Sequence, residues 1–183
     1  MNATATAPAP PSRPANPMTA IRIVKVVVNT GVGESGEPRT RAEKVLRMLT
    51  GHKPVATRSH ATNRDLGIRL GQEIGAKVTL RGPDAAQFLE RALEARDRLM
   101  DPASVDRAGN FSFGIADYTD FTGMKYDPQI GIVGLDVCVE MGRRGYRVRD
   151  RRVAARPVPQ GIRVTRDETK AFLAEQYRVT YLE

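Results

Sequence analysis

The run Ile21–Asn29, IRIVKVVVN, constrains the fold more than any other stretch of the chain. It alternates at first and then becomes a continuous β-branched block. Branching at Cβ suits a pleated strand better than a helix, so the run reads as a strand buried on at least one face. Further strands are expected over Pro54–Arg58, Ala76–Arg81, Phe111–Ile115 and Ile130–Met141, of which Ala76–Arg81 and Ile130–Met141 alternate with period two. Tyr146–Val153 (YRVRDRRV) also alternates, and is expected to pair with Ile130–Met141 as a hairpin across Gly142–Gly145.

Between these strands the period changes to that of a helix. Thr40 and Glu43 have capping-box spacing ahead of Val45, Leu46 and Leu49, and Gly51 stops the turn. Gly82-Pro83 opens a second helix whose stripe is Ala85, Phe88, Leu89, Ala92, Leu93 and Leu99, ended by Asp101-Pro102. Thr165 and Glu168 repeat the capping box and start a last helix reaching about Tyr177. Ser59–Gly75 is polar and reads as a long loop or an extended hairpin. The order β-α-β-loop-β-α-β-β-β-α implies an α+β fold, with helices packed on one face of a mostly antiparallel sheet.

The chain has 183 residues, enough for one domain over residues 21–183. Residues 1–20 hold Ala, Pro and Thr without the apolar stretch of a signal peptide, and read as a disordered extension. No apolar run approaches the ~20 residues that span a bilayer. Cys138 is the only cysteine, so no disulfide can form within the chain, and its apolar setting suggests a buried thiol.

Charge narrows the class of partner. The net charge is +8, and only six of the 29 basic residues are Lys, the rest being Arg, whose planar fork suits phosphate. The distribution says more than the total. Arg39–Arg81 holds ten basic and three acidic residues, Arg143–Arg166 holds nine Arg and only Asp150, and Asp84–Asp127 between them is net acidic. Segregation of this kind is the footprint of contact with a polyanion, nucleic acid first. Lys53, Arg58, His60, Asn63, Arg64, Arg69, Lys77 and Arg81 are interleaved with small residues, and Gly67, Gly71 and Gly75 are expected to let backbone lie close to a ligand. Few aromatics accompany them, so readout by shape and phosphate is expected rather than base stacking.

Catalytic readings are poor. Gly31-Val32-Gly33-Glu34-Ser35-Gly36 has the spacing of a dinucleotide fingerprint, and a nucleotide-dependent oxidoreductase is the competing hypothesis. Glu37-Pro38 is expected to delay the helix, however, and Pro54–Arg58 offers no acid for a ribose. The glycines then form a tight turn, or a turn that lets backbone approach RNA. His52, His60 and Cys138 have no metal-binding spacing, and no Ser-His-Asp set stands out, so neither cofactor nor metal is expected. A basic protein-interaction module is a third, weaker reading.

Six ordered motifs carry a resemblance. Asn29–Gly33 (NTGVG), Leu49–Val55 (LTGHKPV), Ile74–Gly82 (IGAKVTLRG), Gly109–Ile115 (GNFSFGI), Lys125–Pro128 (KYDP) and Gly134–Val137 (GLDV) closely resemble the large-subunit ribosomal protein five family. The likeness runs from about Ile21 to Tyr181, and the Arg-rich segment from Tyr146 points to the archaeal and eukaryotic branch, on its archaeal side. The resemblance implies a curved sheet backed by helices, one face of which holds 5S rRNA in the central protuberance of a cytoplasmic ribosome. It also implies contacts with large-subunit rRNA and neighbouring ribosomal proteins, and no membrane.

By that likeness Asn29 and Thr79 lie on the RNA-facing sheet, and the loop with Arg58, His60, Asn63, Arg64 and Arg69 reaches peptidyl-site tRNA. The expected rRNA contacts are completed by Thr30, Gly31, Gly33, His52, Lys53, Lys77, Arg81, Arg143, Arg144, Arg147, Arg149, Arg151 and Arg152. The family usually has Gln at the position of His52, and basic residues just after Arg58, where Ser59, His60 and Ala61 stand here.

Overall fold

The computed structural model describes residues 16–33 and 36–182. Most of the extension read as disordered, residues 1–15, and Glu34 and Ser35 of the glycine motif lie outside them. Asn16 accepts from Thr19 N–H in a turn, and the chain then enters β1, Ile21–Gly31. The other sheet strands are β2 (Val55–Arg58), β3 (Glu73–Leu80), β5 (Phe111–Ile115) and β6 (Leu135–Arg143). Their order is β2-β3-β1-β6-β5, and every pairing is antiparallel. The β-branched run is therefore the central strand, which explains its composition.

The helices α1 (Glu37–Thr50), α2 (Pro83–Glu94) and α4 (Arg166–Tyr177) bury apolar stripes in the same core as the sheet. Val26 and Val28 of β1, Ala76, Val78 and Leu80 of β3, and Val137, Val139 and Met141 of β6 point toward it. Val45, Leu46 and Leu49 of α1 and Phe88, Leu89 and Leu93 of α2 meet them there. Fully burying one such side chain stabilises by about 1.5–3 kcal/mol before chain entropy is counted. The expected α+β architecture is what forms, and among the described residues no helix is long and apolar enough to cross a membrane.

Four local expectations are corrected. The first helix begins at Glu37, not near Thr40, with Gly36 as N-cap and a proline in its first turn; Thr40 Oγ1 donates to the Gly36 carbonyl instead of capping. The second helix ends at Glu94 instead of running to Met100. Asp97 and Arg98 adopt left-handed backbone there, and Leu99–Met100 becomes β4, a short strand parallel to β7 (Thr180–Tyr181). The strand expected from Ile130 starts at Leu135, because Gly131 has φ 76° and the chain turns before it.

The fourth concerns Tyr146–Val153, which is no strand. Arg147–Asp150 forms α3, a single helical turn. The alternation misleads because Tyr146, Arg149 and Arg151 have partners away from any neighbouring strand's ladder. Tyr146 Oη donates to the Ile162 carbonyl at 3.1 Å and accepts from Val164 N–H at 2.9 Å, folding the segment back on itself. The capping box expected at Thr165 is present with both of its hydrogen bonds.

Candidate nucleic-acid interface

Among the described residues the longer helices lie on one side of the sheet and leave its other side largely open. Registry fixes what stands there, because directly opposed residues of antiparallel strands share a face. Val26 and Val28 point inward, so Lys25, Val27 and Asn29 of β1 point outward. Asn29 is opposite Lys77 on one side and Asp136 on the other, and Val27 is opposite Thr79 and Cys138. Val55 lies beyond Lys77, Gly114 beyond Asp136 and Ser112 beyond Cys138. None of the residues in these two rows is aromatic.

The side chains of Asn29, Lys77 and Thr79 have no hydrogen bond or ion pair among the described residues, and Lys77 and Thr79 are exposed. Three of the sequence-selected residues are thus brought together with their polar groups unspent. Thr30, adjacent to Asn29, is not with them. It is 2% exposed and points into the core, where its Oγ1 is buried without a partner. Gly33, at φ 78°, adopts backbone that favours glycine, and Val32 and Gly33 both donate to the Ile74 carbonyl at 3.0 Å.

Cys138 lies on the open face and is exposed, which corrects the expectation of a buried thiol. The run around it is apolar only on alternate positions. Partial burial, then the Asp136 carboxylate, push its thiol up from the ordinary value.

The polar loop is an extended hairpin that prolongs β2 and β3 beyond the end of the sheet where Gly31 lies. Ser59 N–H donates to the Gln72 carbonyl, and Asn63 and Ile68 exchange backbone hydrogen bonds around a turn at Gly67. Its base is fixed to α1, since Glu73 bridges Arg58 at 3.3 Å and Arg39 at 2.9 Å. Arg64, Arg69 and His60 are exposed on it, whereas the Asn63 side chain accepts from Asp65 N–H and serves its own turn. Gly75 is needed for packing inside the sheet. A Cβ there would lie 2.6 Å from the Thr30 carbonyl oxygen and 2.8 Å from Thr57 Oγ1, so the close approach is between strands.

The arginine-rich segment begins at the opposite end of the sheet, because Arg143 pairs with Ile21 in registry. The basic residues of the hairpin and the arginine-rich segment are therefore at the two ends of the strands, not side by side. Arg143 is largely buried and donates to Glu168 at 2.6 Å. Arg149 pairs with Glu140 at 3.0 Å and Asp150 at 2.8 Å, and Arg151 donates twice to the Ala154 carbonyl. Arg144, Arg147 and Arg152 are exposed, with side chains unpartnered among the described residues.

Arg81 is exposed past the end of β3. His52 faces Asp84 at the start of α2, Nε2 to Oδ2 at 3.2 Å, and so belongs to the helix layer. Lys53 shares an exterior groove with Arg41, Lys44 and Arg47 of α1. Sequence reasoning passed over those three, and over Lys25 and Asp136; the outward register of β1 and β6 was the signal that could have found the last two.

The nucleotide reading fails on topology. It needs parallel strands around the glycine turn, and β1 has antiparallel neighbours on both sides. The expected delay of the helix is not what counts against it, since α1 starts directly after Gly36. Among the described residues no group of three acidic, His or Cys side chains could hold a metal.

Comparison with known proteins identifies the family. The family model for ribosomal protein L5 matches residues 16–69, and the model for the C-terminus of the same ribosomal family matches residues 73–175. "Large ribosomal subunit protein uL5" of Thermoplasma acidophilum is 49% identical over 90% of this chain and 98% of its own length. The protein of that name from Methanoculleus marisnigri is 48% identical over 88% and 97%, and that from Aeropyrum pernix 45% over 91% and 88%. All three sources are archaea. The chain accordingly belongs to the ribosomal protein L5 family, in its archaeal branch, which is a family of ribosomal structural proteins and not of enzymes.

Proposed function

We propose that this chain is a structural constituent of the large ribosomal subunit that binds 5S rRNA in the central protuberance through its open sheet face. It helps attach that RNA to the large rRNA, and its β2–β3 hairpin reaches peptidyl-site tRNA. The observation that carries the reading is the unspent cluster of Asn29, Lys77 and Thr79, in two adjacent rows of a sheet face on which none of the longer described helices packs. Lys77 supplies charge for a phosphate, while Asn29 and Thr79 supply hydrogen bonds to base or sugar. Arg81, Arg144, Arg147 and Arg152 extend the positive surface at one end of the strands. Arg64, Arg69 and His60 project at the other. Arg143 and the Asn63 side chain are engaged within the protein, Thr30 is buried in its core, and all three fall out of the set of direct contacts.

The test is retention of 5S rRNA on a filter as salt rises. Affinity is expected to fall steeply, with a log–log slope of roughly −0.7 to −0.9 per neutralised phosphate by analogy with DNA. The Lys77→Ala and Thr79→Ala variants should bind more weakly while folding normally. Full-strength binding by both would remove the sheet face from the interface, and absence of binding by the unaltered protein would remove 5S rRNA.

A further inference from the structure

Asp136 is out of place on a surface that meets a polyanion. It is exposed on the open face at the second position of β6, beside the central strand, and its side chain has no hydrogen bond or ion pair among the described residues. The other acid of β6 on this face is treated differently. Glu140 is held by Lys25 at 2.8 Å and Arg149 at 3.0 Å, so its charge is neutralised within the protein. An unpaired carboxylate repels phosphate, and it is tolerated against RNA only where it meets hydrogen-bond donors.

The neighbours of Asp136 indicate which donors. In one row across the sheet stand Lys77, Asn29, Asp136 and Gly114, each the register partner of the next. Opposed side chains of an antiparallel pair have Cβ atoms about 4.5–5.5 Å apart, so the Asn29 amide and the Asp136 carboxylate can meet one flat edge together. Gly114 presents no side chain, and even a Cβ there would stand 3.7 Å from Asp136 Oδ1, leaving that flank clear. The row thus offers a cation, an amide and an acceptor pair in sequence.

Guanine is the base whose Watson–Crick edge places two N–H donors, N1–H and N2–H, next to an acceptor, O6. Unpaired bases are what proteins read on that edge in RNA. We infer that Asp136 and Asn29 together read an unpaired guanine, Asp136 accepting from N1–H and N2–H and Asn29 donating to O6, with Lys77 on an adjoining phosphate. The inference rests on the RNA-binding reading above and adds to it a base and the residue that selects it.

The experiment compares the full chain with its Asp136→Asn variant, which keeps shape and removes charge. The probes are 5S rRNA and rRNA extracted from large subunits. If the carboxylate accepts from a base, the variant binds roughly tenfold more weakly, although it carries one more unit of net positive charge. Kethoxal, which attacks N1 and N2 of unpaired guanines, should find one guanine protected under the unaltered protein and open under saturating variant. Equal or tighter binding by the variant overturns the inference, and assigns Asp136 to a cation of a neighbouring protein or to no contact. Weaker binding with the same guanine still protected overturns it too. If the unaltered protein retains neither RNA, the RNA-binding reading itself falls and takes this inference with it.

Discussion

Arg143 donates to Glu168 across 2.6 Å and so ties the end of β6 to the first turn of α4. Glu168 is already occupied, because its other oxygen accepts from Thr165 N–H in the capping box. Arg143→Ala is therefore expected to act on stability and not on RNA affinity. Discounted for the partial exposure of Glu168, the loss is about 1–2 kcal/mol, or a Tm lower by several degrees. Calorimetry beside a binding assay checks it; an unchanged Tm with weakened RNA binding would reverse the assignment.

Acid should loosen the same end of the sheet. The hydrogen bond from Lys25 holds the Glu140 carboxyl below its ordinary 4.5, partial burial opposing it and Arg149 adding to the lowering. A folded-state pKa below the unfolded one gives stability that is fully present above the unfolded value and is lost as pH falls through the folded one. The urea midpoint is expected to hold above about pH 5 and decline below about 4, less steeply in Glu140→Gln. Parallel declines in both proteins would mean that Glu140 is not a source of the effect.

Gly75→Ala should be among the more damaging single changes. The added methyl would meet the Thr30 carbonyl oxygen at 2.6 Å, and backbone cannot yield there without parting β1 from β3. A loss of about 2–3 kcal/mol is expected from denaturant titration. Wild-type stability would show that the strands can shift at no cost.

Cys138 gives the open face a chemical handle. A maleimide should label it in the free protein, slowly near pH 7 because the thiol is pushed up. Saturating 5S rRNA should block the labelling. A rate that ignores RNA would place the RNA on some other surface.

Within Arg143–Arg152, the arginines should contribute charge through three members only. Replacing Arg144, Arg147 and Arg152 together by Ala is expected to flatten the salt dependence by about two units of slope and leave circular dichroism unchanged. The pair Arg149→Ala and Arg151→Ala, whose side chains are already engaged, should change the slope far less.

What can be read before the structure, and what cannot, follows from the range of the interactions. The central strand, the three longer helices and the cap at Thr165 depend on neighbours in sequence, and are legible. Long-range partners decide the rest. Nothing near Tyr146 in sequence announces that its hydroxyl will bridge Ile162 and Val164, so a helical turn passes for a strand. The end of α2 is misplaced because Leu99 continues the helical stripe, while the pull of β7 comes from the far end of the chain. At the interface, residue types are easier to choose than orientations. Thr30 and Asn29 differ by one position and so by a whole face of the sheet, and Arg143 carries the same guanidinium as Arg144 but is committed inside the protein.

The hairpin and the arginine-rich arm leave the sheet at opposite ends, and between them lie the 11 residues of β1, about 33 Å of hydrogen-bonded ladder. Such a ladder neither stretches nor shortens without breaking registry. The molecule can thus serve as a strut as well as an adhesive: whatever is gripped at one tip stands at a set remove from whatever is gripped at the other.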